Sequence, residues 1–550
     1  IKSGKKTVLE GNLMKKICLG LTCAAALNFI TCTISPPGPP KLVVLLVIDQ
    51  MRPDLLTRFD DLYRGGFRWL MDHGIWFTDT HHEHSYTATG PGHAAIGFGQ
   101  YPGKVGAIGN SFYDRKLKKK VNCVEDPNAK TVGATIGEAR SSARYNSKGL
   151  GDWLKASSPG SKVISIGGKD RAACLLAGQD PDQAIYYNHM GAFISSDYYV
   201  DQLPRWAEDF NKRLKNSSYG DSLWHKSLDD DLYLQYARED HFYGEEDNYF
   251  SEDYSPVFPI GMDDGKDPLT VLMGKPWFER EILELSAEAV KGESLGLDNI
   301  PDILSIGFSA MDWMIHSYGP HSQEVMDACI KLDRYLGNFI DFLDVQVGLE
   351  NILFVLTADH GGLPLPEFLI QKGEKAGRIN KKHMQEALTW IDEECEEMFG
   401  NKLYHREGGN FYLNIDRIKK ANIKLDQIYD IVEKYLPEVE GIDGVAIKER
   451  IISSSNNDKL TRRMKNMINE ELTPEIFPIV SSGYLYRGPY GTSHGSPYDY
   501  DTHVPLIFSR SQFKDKRDNS PRATVDIAPT IATYLNVDVP DYCDGKGIDL

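Results

Sequence analysis

Past residue 32 the chain has only five cysteines, Cys123, Cys174, Cys329, Cys395 and Cys543. Their wide spacing excludes a cysteine-built zinc finger or ribbon, which needs close pairs. An odd count also excludes a framework in which every cysteine is paired within the chain. Positive charge is scarce as well: 61 Lys and Arg stand against 79 Asp and Glu, a formal charge of -18. Recognition of a nucleic-acid backbone needs a basic face, so no duplex partner is expected. Acidity does not exclude a small phosphate-bearing ligand, because local cations reverse the field inside a cleft. The sequence shows no internal repeat and no long low-complexity tract. No apolar run beyond the first 32 residues reaches the ~20 needed to span a bilayer.

The N-terminal segment reads as an address rather than as part of a fold. Lys15 and Lys16 precede the apolar run Ile17 to Ile30, with small residues at Ala24 to Ala26, the pattern of a charged region followed by a signal-peptide core. Met14 is the expected start. Residues 1–32 are assigned as leader and 33–41, with the Pro-rich stretch Ser35 to Pro40, as linker. Export follows, to the periplasm or the outer membrane of a bacterium. Cys32 is a candidate lipid anchor, although Phe29-Ile30-Thr31 departs from the small-residue pattern that precedes a lipidated cysteine. A monomer is expected.

From residue 42 onward the chain carries a recurring device. Leu42 to Ile48 is continuously apolar and ends at Asp49. Lys162 to Ile166 ends at Gly167-Gly168, Ile303 to Phe308 ends before Asp312, and Ile352 to Leu356 ends before Asp359. Val504 to Phe508 and a helical Val525 to Leu535 close the chain. Continuous apolar runs of this length suit strands buried on both faces of a parallel sheet. Polar residues just past such strands are where open α/β sheets build their sites. The expected fold is an α/β/α sandwich, three-layered, with a mostly parallel central sheet. Residues 42–364 and 486–550 form its core, with a loop-rich insertion at about 180–275. An α+β cap is expected over 365–485, with helices Lys381 to Met398, Leu425 to Tyr435 and Asn457 to Asn469 and strands Asn410 to Ile415 and Gly444 to Ile447.

Asp312 and His316 are four apart and share one helical face, within reach of one ion; the same spacing also arises by chance on surface helices. Asp359-His360 followed by two glycines places an acid and an imidazole at a buried strand end. That is costly unless they are paired or bound to metal. His494 lies between glycines ahead of the last strand, where an ordinary loop histidine would also fit. The combination decides, because three carboxylates and three imidazoles at strand ends suit two Zn²⁺ ions. Two such ions clamp the attacking and leaving oxygens of an in-line displacement. His81-His82-Glu83-His84 looks more metal-like at first sight, but it lacks the spacing of a structural zinc site and is read as a solvated or locally hydrogen-bonded segment. His93 and His503 are read as supporting residues. In Thr87-Ala-Thr89-Gly-Pro-Gly-His93 a hydroxyl precedes a turn into an expected helix Ala94 to Phe98. A hydroxyl there usually serves as an N-cap, yet the same geometry binds phosphoryl oxygens and, beside a metal, makes a nucleophile.

Together, Asp49, Thr89-Gly-Pro-Gly-His93, Gly109-Asn110, Gly168-Lys169-Asp170-Arg171, Asp312 with His316, Thr357-Ala-Asp-His-Gly361 and Gly491-Thr-Ser-His-Gly495 resemble the alkaline phosphatase superfamily. The set is most similar to the type I phosphodiesterase/nucleotide pyrophosphatase group, and within it to the phosphate-irrepressible alkaline phosphatases. The resemblance implies one zinc held by Asp312, His316 and His494 and another by Asp49, Asp359, His360 and the Thr89 oxygen. It further implies that Asn110, Lys169 and Arg171 contact the transferred phosphoryl group, that Thr89 is the nucleophile, and that small phosphate monoesters are the substrates. A phosphodiesterase on the same core is the nearest rival, and a catalytically silent surface-binding protein a distant one. Sulfatase is disfavoured because no Cys/Ser-x-Pro-x-Arg stands at the nucleophile turn.

Overall fold

The structure, a computed structural model, describes residues 38–245, 256–262 and 266–550. The leader, most of the linker and Cys32 lie outside the described residues. Five strands run parallel: β1 (Leu42–Ile48), β2 (Val163–Gly167), β3 (Gln183–Tyr187), β4 (Asp302–Phe308) and β5 (Ile352–Thr357). Their spatial order is β5-β1-β4-β2-β3, at the centre of a ten-stranded sheet.

Why these strands read as unbroken apolar runs is visible in where their side chains go. Leu42, Val44, Leu46 and Ile48 enter one buried cluster, while Val43, Leu45 and Val47 enter a second. Alternate residues of β5 divide the same way, Phe354 and Leu356 to the first and Leu353 and Val355 to the second. A pleated strand alternates its faces, so a strand covered on both sides needs apolar residues at every position.

Beyond β5 the sheet continues with Leu506–Ser509, Gly74–Phe77 and Lys516–Asp518, the first pairing antiparallel to β5. The closing strand therefore begins at Leu506, two residues later than its apolar run, because Val504 instead donates its N–H to the Thr80 carbonyl. The expectation of a loop-rich stretch from about residue 180 needs correction at its start. Gln183–Tyr187 is the parallel strand β3, and Phe193–Ser196 pairs antiparallel with it. Two short strands with polar ends carry little periodicity, which hid them in the sequence.

Between the core strands, residues 377–485 include a separate four-stranded sheet in the order Tyr404–Glu407, Asn410–Leu413, Ile476–Val480, Ile442–Ile447. Helices Lys381–Phe399 and Leu425–Tyr435 supply Leu388, Ile391, Ile428 and Val432 to a buried cluster drawn wholly from this segment. No described helix is long and apolar enough to cross a membrane.

Candidate active site

Strand register sets the first part of the site. β1 pairs with β5 as Val47↔Thr357, with β4 as Ile48↔Phe308, and β4 pairs with β2 as Gly307↔Gly167. Continued by one or two residues, these registers bring Asp359, Asp49, Ser309 and Lys169 into one row along the carboxyl edge of the sheet. Asp49 and Asp359 have no solvent exposure, and Asp312 and Lys169 are almost as buried. The helix Ala310–Tyr318 then carries Asp312 and His316 on one face, with His316 Nε2 3.3 Å from Asp312 Oδ1.

Three imidazoles are oriented the same way. His316 Nδ1 meets the Thr492 carbonyl at 2.7 Å, His494 Nδ1 the Thr87 carbonyl at 2.7 Å, and His360 Nδ1 the Gly361 carbonyl at 2.8 Å. A backbone carbonyl only accepts, so each Nδ1 carries the proton and each Nε2 is directed elsewhere. Those Nε2 atoms face carboxylates: His494 lies 3.7 Å from Asp312 Oδ1, and His360 lies 3.3 Å from Asp49 Oδ1 and 3.6 Å from Asp359 Oδ2. Asp49 Oδ1, Asp359 Oδ2 and His360 Nε2 are buried without a hydrogen-bond partner among the described residues. Imidazole nitrogens facing buried carboxylate oxygens across 3.3–3.7 Å call for a positive charge between them, a proton or a metal ion. Nitrogen and oxygen donors in this mixture suit Zn²⁺ and similar divalent ions.

Two triples place their donor atoms within 4.8 Å of one another, Asp312 with His316 and His494, and Asp49 with Asp312 and His360. Asp312 thus belongs to both, whereas the resemblance had given it to one ion only. Asp359 stands outside both triples, and its Oδ1 accepts a hydrogen bond from the Gln50 N–H.

The electrostatics carry the same imprint. Burial, with the Asp312 and Asp359 charges beside it, raises the Asp49 carboxyl above its ordinary range. Burial would also lower His360, but Asp359 and Asp49 outweigh it and push the imidazole up to about 9. Desolvation, then His360 and His316, drive His494 well below the usual range, so it is neutral and able to donate a lone pair. Asp312 is held well below the carboxylate range because His316 and Lys169 outweigh its desolvation.

Thr89 is the first residue of the helix Thr89–Phe98, and its side chain is buried. The helix therefore starts five residues earlier than the Gly-Pro-Gly sequence suggests. Pro91 is tolerated because the first turn needs no N–H at that position. Gly92 is required by proximity, since a Cβ there would lie 1.9 Å from the Asp359 carbonyl oxygen. Asn110 Oδ1 accepts the Gly90 N–H at 2.7 Å, which leaves its NH₂ group to donate beside Thr89. Lys169 Nζ bridges Asp49 Oδ2 and Asp312 Oδ2, each at 2.6 Å. The Arg171 Nε is buried and without a partner among the described residues.

Some contributors were not foreseen. Gln50 takes a left-handed backbone (φ 65°) and its amide NH₂ donates to Asp312 Oδ1 at 2.8 Å. Such a conformation is sparsely populated and strained for a residue with a long side chain. Glu279 accepts the Ser309 and Met311 N–H groups at the start of the Asp312 helix. The histidine cluster before Thr87 contributes to neither triple. His82 instead spans from Thr524 Oγ1 to the Ala358 carbonyl beside Asp359. His93 Nδ1 lies 2.8 Å from the Thr89 carbonyl and 3.2 Å from Asp359 Oδ2, joining nucleophile helix to strand end.

A family model described as type I phosphodiesterase/nucleotide pyrophosphatase matches residues 43–501. The chain belongs to that family. Within it, the protein is 31% identical to alkaline phosphatase PafA of Elizabethkingia meningoseptica over 545 residues, covering 97% of this chain and 98% of that one. It is 30% identical to alkaline phosphatase PhoV of Synechococcus elongatus, covering 92% of each chain. The crystal structure of wild-type PafA superposes with a TM-score of 0.85 at 29% identity, over 94% of this chain and 99% of that one. This chain and PafA thus share the central, mostly parallel sheet with its flanking helices.

Proposed function

We propose that this protein is an exported, metal-dependent alkaline phosphatase that hydrolyses phosphate monoesters through a phosphothreonine at Thr89. The observation that carries the reading is the set of three Nδ1-anchored imidazoles aiming Nε2 at buried carboxylates beside the first residue of the Thr89 helix. The alkaline phosphatase activity named for PafA and PhoV supports the same conclusion. Two divalent ions, zinc by the donor set, would be held by Asp312, His316 and His494 and by Asp49, Asp359, His360 and the Thr89 oxygen, with Asp312 within reach of both, and would supply Lewis-acid charge for the attacking and leaving oxygens.

In this scheme Thr89 Oγ attacks phosphorus, the ester P–O bond breaks, and the alcohol leaves with the proton released from Thr89. Water then attacks the phosphothreonine, which frees Thr89 and inorganic phosphate. Asn110, Lys169 and Arg171 receive the non-bridging oxygens, and positioning and electrostatics do most of the work in such transfers. A monoester dianion presents three charged oxygens to an ammonium and a guanidinium; a diester, with one oxygen substituted, matches them less well. The segment 365–485 is proposed as a cap over this edge of the core.

The test compares aryl phosphate with bis-aryl phosphate hydrolysis by the wild type, by Thr89→Ala and after chelation. Monoester turnover that disappears in Thr89→Ala and returns to the chelated wild type with Zn²⁺ is expected. Faster diester than monoester hydrolysis by the wild type would favour the phosphodiesterase reading instead.

A further inference from the structure

Beside Asn110 a cavity of about 430 Å³ opens between the core and the segment 365–485. Its near wall is Tyr86 with Gly109 and Ser111, the chain neighbours of Asn110. The Tyr86 ring lies between Gly109 and Gly495. A Cβ on Gly109 would lie 3.7 Å from one ring edge, and a Cβ on Gly495, the neighbour of His494, 3.1 Å from the other. Tyr86 nevertheless keeps 45% of its surface exposed.

The far wall comes from the inserted segment. Met464 and Met467 project from helix Lys459–Met467, and Phe477 and Tyr412 from its sheet. Thioethers and aromatic faces make an adaptable apolar slot, and the volume is within the range of small-molecule sites. Lys120 and Glu407 lie in the same lining with opposite charges, so the slot selects for an apolar body more than for charge.

We propose that this cavity is a leaving-group subsite that receives the aromatic portion of a phosphate monoester, an aryl or nucleobase-bearing group, while its phosphoryl end lies at Thr89. The proposal rests on the monoesterase reading above. It adds that the inserted segment sets which monoesters are preferred, through Met464, Met467 and Phe477 rather than through the phosphate contacts.

The test has two arms. With the wild type, inhibition by phenylphosphonate and by methylphosphonate is compared; the aromatic compound should bind about tenfold tighter. In the second arm, Met467→Ala and Phe477→Ala are assayed on phenyl phosphate and methyl phosphate, with inhibition by inorganic phosphate measured alongside. The expected result is a roughly tenfold loss of kcat/KM on phenyl phosphate only, with methyl phosphate and inorganic phosphate unchanged. Equal inhibition by the two phosphonates would overturn the subsite, and so would equal loss on both esters. Wild type that hydrolyses no monoester at all would overturn the activity reading, and the subsite with it.

Discussion

Lys169 Nζ stands 2.6 Å from Asp312 Oδ2, and the same ammonium reaches Asp49 Oδ2 at an equal distance. Burial would lower the Lys169 pKa, yet Asp312 and Asp49 outweigh it and raise the group above its ordinary value. The lysine neutralises buried carboxylates, and in the proposed reaction it would have a second task, presenting charge to a phosphoryl oxygen. Divalent ions at the carboxylates would compete for the first and leave the ammonium for the second.

Lys169→Ala should separate these tasks. Loss of a charged donor at the transferred group should lower kcat/KM for an aryl phosphate by about 10²–10³-fold. The bis-aryl phosphate rate should fall much less, so the ratio of the two rates is the readout. Chelated Lys169→Ala should also unfold at lower urea than chelated wild type, by about 3 kcal/mol, because breaking a buried pair leaves uncompensated charge. Saturating Zn²⁺ should recover much of that difference. A ratio that does not move would remove Lys169 from substrate recognition.

Asp312 offers an oxygen to both donor triples, whereas His316 and His494 belong to one. Asp312→Ala should therefore empty both positions, while His316→Ala should empty one. Metal analysis of dialysed protein should find about two ions per chain in the wild type, about one in His316→Ala and close to none in Asp312→Ala. Equal stoichiometry in the two variants would confine Asp312 to a single ion.

How far the sequence revealed this site depends on the range of the interactions involved. Asp49, Asp312 and Asp359 were legible because each closes or follows an apolar run buried on both faces, and buried charge at such a point calls for a cation. Thr89 was legible, but its helix start was not, since Gly-Pro-Gly signals a turn in most settings and only the Asp359 carbonyl against Gly92 shows why it coils here. Gln50 and Glu279 left no signal. Gln50 acts on Asp359 and Asp312, and Glu279 on backbone 30 residues away, through contacts that no local pattern encodes. The sharing of Asp312 is likewise a product of side-chain placement rather than of spacing.

Gly92→Ala would push a methyl group into the Asp359 carbonyl, 1.9 Å from where its Cβ must sit. Backbone cannot yield as a flexible side chain would, so the Thr89 helix must shift away from the strand end. Overpacking of this kind costs about 1–3 kcal/mol, and more where both partners are backbone. Activity should fall further than stability does, because a displacement of 1 Å at a nucleophile costs about 10²-fold in rate. Urea unfolding and aryl phosphate turnover measured on the same preparation would check it; wild-type turnover in a folded Gly92→Ala would show that the contact does not position Thr89.

Glu279 is fully buried and accepts the Met311 and Ser309 N–H groups at 3.1 and 3.3 Å. Burial outweighs these hydrogen bonds and pushes its carboxyl up to about 7. The folded protein thus holds the proton more tightly than the unfolded chain, whose carboxyl titrates near 4.5. The sign follows from linkage: the protonated group imposes no penalty below pH 4.5, the penalty grows as pH rises from 4.5 to 7, and above 7 it is constant at ~3 kcal/mol. Glu279→Gln keeps an acceptor for the helix start and cannot ionise. The difference in urea stability between Glu279→Gln and wild type, measured on chelated protein from pH 4.5 to 8, should move in favour of the variant across that window and then level off. A difference that stays flat over the same range would mean that Glu279 titrates alike in the folded and unfolded chains.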